Sequence, residues 1–210
     1  MSRDSGRELL YLLNEKRTRR GNRLKRRLAG LSDLVGQDIV VRLDRKPLDK
    51  FSLDGFVIGM SGRLLCLHVV DDKTLMINGY AVVRLSDIRS FQVDETAFID
   101  RALRLLGRTP IVPEAIDLSS WGQLLTWVQS QYPLVTIRTE QDAPGCAFIG
   151  KLVSHSARSV VVEAVSVSGH WDGQQEFAFK EITMVELGDG YVNALAALVA
   201  HETSPAQFAS

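Results

Sequence analysis

Apolar positions near the start of the chain recur at three- and four-residue steps: Leu9, Leu10 and Leu13, then Leu24, Leu28, Leu31 and Val35. That spacing lines one face of a helix and predicts helices over 5–20 and 23–35, broken at Gly21-Asn22, with Gly36 as a C-terminal cap. From Asp38 the pattern changes. Ile39–Leu43, Gly55–Ile58, Leu64–Val70, Leu75–Ile77 with Ala81–Leu85, and Ile88–Val93 are short runs rich in Val, Ile, Leu and Phe. Their length and β-branched content predict five strands, with turns at Asp71-Asp72-Lys73 and Asn78-Gly79. Phe98, Ile99, Ala102, Leu103 and Leu106 then form a helical stripe that Asp94 can cap and Gly107 can end.

Residues 108–118, with Pro110 and Pro113, have no period and read as a linker. Beyond it, Ser120-Trp121-Gly122-Gln123 has the spacing of a capping box, and Trp121, Leu124, Leu125 and Val128 share a helical face. Strand-like runs follow at Leu134–Ile137, Cys146–Ile149, Ser159–Val165, Glu176–Phe179 and Ile182–Leu187. Asp189-Gly190 leads into a last helix carrying Tyr191, Val192, Leu195, Ala196, Leu198 and Val199.

The order helix, five strands, helix therefore occurs twice. Phe56–Gly59 aligns with Ala147–Gly150, Asp87–Val93 with Glu181–Leu187, and Phe98–Leu106 with Tyr191–Val199 after a one-residue adjustment. A separation on the order of ninety residues is the scale of a domain, not of a solenoid repeat. An N-terminal helix before a bent five-stranded sheet whose second strand starts Gly-apolar resembles the Sm-like fold, an SH3-type small barrel.

That resemblance implies a mainly β protein of two tandem Sm-like five-stranded barrels, each closing a separate core between an N-terminal and a C-terminal helix. The corresponding division is a basic helical arm over 1–36, a first barrel with its C-terminal helix over 37–107, a linker over 108–118, a second barrel over 119–202 and a tail over 203–210. Sm-like barrels join edge to edge, so the resemblance also implies pairing of the two barrels or a homo-oligomer, six barrels from three chains in one version. No RNA-pocket residues transfer, because the Arg-Gly of that family is missing before Ile88 and the second half has neither of its loop motifs.

Composition bounds the function. The 210 residues are 45% hydrophobic and 24% charged, which suits a globular chain able to bury a core. Cys66 and Cys146 lie in apolar runs with no C-x-x-C spacing, predicting buried thiols in a reducing compartment. The N-terminus has basic residues without an apolar stretch after them, and no run approaches the roughly 20 apolar residues of a membrane span. A cytoplasmic protein without an integral membrane segment is the expectation.

The net charge of zero conceals an uneven distribution, since residues 1–30 hold ten Lys or Arg against three acids. Lys16, Arg17, Arg19, Arg20, Arg23, Lys25, Arg26 and Arg27 form a run of eight cations without an acid. Phosphates binding there would release counterions, so this arm is the candidate nucleic-acid site for RNA or DNA. It has no aromatic to stack a base, which predicts sequence-independent, salt-sensitive contact. An anionic membrane, the acidic remainder of the chain or a second copy would satisfy the same charge.

No catalytic residues are assigned. His68, His155, His170 and His201 lack the spacing of a metal site, and Ser168, His170 and Asp172 with Gly169 and Gly173 read as a hairpin loop, not a triad. G-x-S-x-G, P-loop and dinucleotide-binding glycine motifs are missing, so neither a metal nor a cofactor is expected. The expected role is a non-enzymatic interaction or assembly module, its partner a copy of itself or another protein.

Overall fold

The computed structural model describes residues 24, 26, 28–93 and 98–203 of a chain that divides into two units, 1–33 and 34–210. In the first unit Leu24 and Arg26 are helical, and a turn over Leu28–Gly30 follows, with Gly30 at φ +85°. The helix predicted to run to Val35 therefore breaks off, and Leu31–Leu34 form a 3-10 turn in its place. The predicted helix over 5–20 lies outside the described residues.

The described residues of the second unit form ten strands. They are β1 (Val40–Asp44), β2 (Leu53–Met60), β3 (Leu64–Asp71), β4 (Met76–Arg84), β5 (Ser90–Val93), β6 (Val135–Arg138), β7 (Phe148–His155), β8 (Ser159–Val165), β9 (Trp171–Ala178) and β10 (Met184–Leu187). Three α-helices accompany them: α1 (Phe98–Leu105), α2 (Trp121–Gln131) and α3 (Gly190–Thr203). Ser120 caps α2 as its sequence predicts, its hydroxyl accepting the Gln123 N–H at 3.2 Å. Asp189 caps α3 by accepting the Val192 N–H at 3.0 Å.

All ten strands form one open antiparallel sheet in the order β5-β1-β2-β3-β4-β10-β6-β7-β8-β9. This corrects the expectation of two closed five-stranded barrels. The physical reason lies at β4, whose outer edge pairs with β10 of the second half, Val83 facing Met184 and Tyr80 facing Leu187. Its backbone donors and acceptors are thereby satisfied without β5, which has four residues and among the described strands reaches only β1.

The expectation of a separate core in each half is corrected as well. One apolar cluster contains Val40, Phe56, Cys66 and Val82 from the first half together with Val135, Ile137, Val162 and Val185 from the second. Trp121, Leu124, Leu125 and Val128 of α2 belong to the same cluster. A smaller cluster sets Val192, Leu195 and Val199 of α3 against Leu134 and Val165. Residues 108–118 are docked and not a loose connection, since Leu118 is buried and the Trp127 indole N–H donates to the Glu114 carbonyl at 3.0 Å.

The ladders of the two halves correspond strand by strand. Gly55 faces Val69 and Gly150 faces Ala164, and a Cβ at either glycine would lie within 2.5 Å of a backbone carbonyl oxygen on the next strand. Gly150 therefore corresponds to Gly55, and the sequence alignment that placed it on Gly59 is four residues out of register. The thiols differ from expectation too: Cys66 is buried, but Cys146 is exposed before β7 begins.

Candidate interaction site

The β4–β10 junction is built on a bulge. Asn78-Gly79 reads as a turn in the sequence, yet β4 runs through both residues, which are squeezed between the pairs His68–Tyr80 and Val70–Ile77. Gly79 holds φ +69°, the left-handed region open to glycine at little cost. The bulge turns the Asn78 side chain toward the second half, where its Oδ1 accepts the Gly190 N–H at 2.8 Å, at the start of α3.

Beside this junction lies a cleft of about 310 Å³. Val69, Ile149 and Val192 give it apolar walls, and Tyr80, Arg138, Glu186 and Asp189 give it polar ones. Arg138 on β6 pairs with Glu186 on the neighbouring β10 through Nε and Oε2. Burial lifts the Glu186 carboxyl above its usual value, and the nearby Asp189 and Glu140 add to this against the pull of Arg138. Among the described residues no Ser, Cys or His lines the cleft beside these carboxylates.

His68 and Tyr80 face each other on β3 and β4 with rings stacked 4.4 Å apart, and together they grip one residue of the 108–118 segment. The Ile111 N–H donates to His68 Nδ1 at 3.0 Å, and the Tyr80 hydroxyl donates to the Ile111 carbonyl at 3.2 Å. This fixes the neutral tautomer with its proton on Nε2. Burial lowers the His68 pKa to about 4 from 6.5, and it pushes the Tyr80 phenol up to about 12.

A depressed histidine contributes stability that is complete above pH 6.5 and is lost as pH falls toward 4. A displacement of that size corresponds to at most about 3 kcal/mol. His68→Gln keeps a neutral acceptor, so urea unfolding should show wild type losing more stability than this variant between pH 7 and pH 4. Equal losses would show that burial does not keep the imidazole neutral.

The far edge of the second half presents another bulge. Asp172-Gly173 lies in β9 between the pairs Glu163–Gln174 and Val165–Trp171, and Gly173 holds φ +82°. The sequence places Asp172 and Gly173 in a hairpin loop with Ser168 and His170. The loop ends sooner, and His170 Nδ1 stands 3.2 Å from the Ser168 hydroxyl on an exposed turn. Six consecutive residues of β9, Trp171–Glu176, are exposed.

Of the candidate nucleic-acid residues, Arg26 is described and is exposed. Lys16, Arg17, Arg19, Arg20, Arg23, Lys25 and Arg27 lie outside the described residues. No group of His, Cys, Asp and Glu among the described residues could hold a metal ion. No described helix is long and apolar enough to cross a membrane. Sequence reasoning missed the pairs Arg138–Glu186 and Arg45–Glu140 and both bulges, for which the available signal was two Asx-Gly dipeptides at matching places in the halves. No protein-family model matches the chain, and neither a curated protein nor a solved structure matches it.

Proposed function

We propose that the protein is a non-catalytic interaction and assembly module whose binding elements are the two outer edges of its sheet. The observation that carries this reading is the exposed run Trp171–Glu176 of β9, a strand whose one ladder partner among the described residues is β8. An edge of this kind offers a row of backbone donors and acceptors that an incoming strand can satisfy. At the opposite end of the sheet β5 pairs, among the described strands, with β1 alone. Hydrogen exchange on the isolated chain at low concentration tests the reading: the outward amides of β9 should exchange far faster than those of β3 and β8. Equal protection would mean that the edge is already occupied.

A second reading rests on the eight cations between Lys16 and Arg27, a charge run suited to phosphate contact. RNA or DNA binding titrated with salt, with residues 1–30 present and deleted, tests it. Binding that survives the deletion, or none at low salt, removes the arm as the site.

A further inference from the structure

We propose that the two outer edges pair with each other between copies of the chain, β9 of one protomer adding to β5 of the next, in the register of the internal β4–β10 junction. This rests on the edge-binding reading and goes further by naming the partner as a second copy.

The strand order leads to it. Within the chain the fourth strand of the first half (β4) pairs with the fifth strand of the second half (β10). What remains open among the described residues is the fourth strand of the second half (β9) and the fifth strand of the first (β5). These are the same two kinds of edge. Leu64 faces Arg84 and Ser159 faces Ala178 at one end, while Asp44 faces Ser90 and Arg138 faces Met184 at the other, so β9 corresponds to β4 and β5 to β10.

The bulge is the independent observation. In β4 the junction uses it: Asn78 accepts the Gly190 N–H, and a Cβ on Gly79 would come within 2.6 Å of the Leu187 carbonyl oxygen and the Asp189 nitrogen. In β9 the equivalent Gly173 has the same left-handed backbone, but a Cβ there would meet nothing within 4 Å. The Asp172 side chain, the counterpart of that of Asn78, has no hydrogen-bond partner among the described residues. A left-handed glycine inside a strand gives up conformational freedom, and no described residue of this chain uses the notch it creates. A second copy's β5 would use it as β10 uses the notch in β4.

Transferring the internal register sets Gln174 opposite Val93, Gln175 opposite Gln92, Glu176 opposite Phe91 and Phe177 opposite Ser90. The new junction is more polar than the internal one, where Val82 faces Val185, so the association is reversible and depends on concentration. Pairing of two different edges is heterologous and yields a ring or a filament instead of a twofold dimer.

Sedimentation velocity on the full chain should show the weight-average coefficient rising with concentration, and Gly173→Ala should hold the chain near the monomer value. Gln92→Cys with Gln175→Cys, both in a Cys146→Ser background, should give interchain disulfides on oxidation, whereas Ser90→Cys with Gln175→Cys should not. A chain that stays monomeric at every concentration and forms no crosslink overturns the proposal. In that event, rapid exchange of the outward β9 amides means that the bulge only guards an open edge, and slow exchange rejects the edge-binding reading as well.

Discussion

Glu140→Ala is expected to lower the stability of the protein by about 3–5 kcal/mol, the cost of leaving one partner of a buried ion pair unmatched. Arg45 follows β1 and Glu140 follows β6, and their side chains are 1% and 5% exposed. One guanidinium nitrogen of Arg45 donates to Glu140 Oε2, a second lies 3.3 Å from Met184 Sδ, and Nε is buried without a partner among the described residues. Removing the carboxylate leaves a buried cation without its ion-pair partner. The pair is not expected to be a net source of stability, because two charges were desolvated and one donor is already unsatisfied. Arg45→Met with Glu140→Leu should therefore recover most or all of the wild-type stability in urea unfolding. A double variant as unstable as Glu140→Ala would show that the charges themselves hold the two halves together.

Most of the strands were legible because they are short apolar runs with their own punctuation, but β9 was read only from Glu176, since its first residues are polar and exposed. The cap of α2 was legible because Ser120 stands where orphan amides need it. Which strand lies beside which was not. Ala81, Val82 and Val83 are all buried, so β4 lacks the alternation that would tell one face from the other, and side-chain pattern is silent about edges in any case. Edge pairing is decided by backbone groups common to every sequence. Closure of each half was consequently expected where the chain instead joins β4 to β10. Asn78-Gly79 misled for a related reason: in a hairpin Asx-Gly makes a two-residue turn, and within a ladder the same left-handed glycine makes a bulge. Tertiary context chose between them. Arg45 and Glu140 stand in polar, loop-like sequence, and their burial follows from two loops meeting across the sheet, which no local pattern announces.

Gly79→Ala should in turn separate the bulge as local geometry from the bulge as part of the junction. Two costs combine at this position. A left-handed φ of +69° disfavours alanine by about 1–2 kcal/mol. The added Cβ would also press to within 2.6 Å on backbone atoms of Leu187 and Asp189, which cannot rotate away as a flexible side chain could. Either β10 is displaced, losing ladder bonds and the Asn78–Gly190 contact, or β4 straightens and strains its pairing with β3. A total of about 3 kcal/mol or more is expected from conformational strain and overpacking together. Gly173→Ala provides the comparison, because φ there is similar and the surrounding space is empty, so its cost in the isolated chain should be the backbone contribution alone. Urea midpoints at protein concentrations low enough to exclude self-association measure both. If the two substitutions cost the same, the close approach at Gly79 has no energetic weight, and the junction is held by its apolar face, not by its fitted backbone.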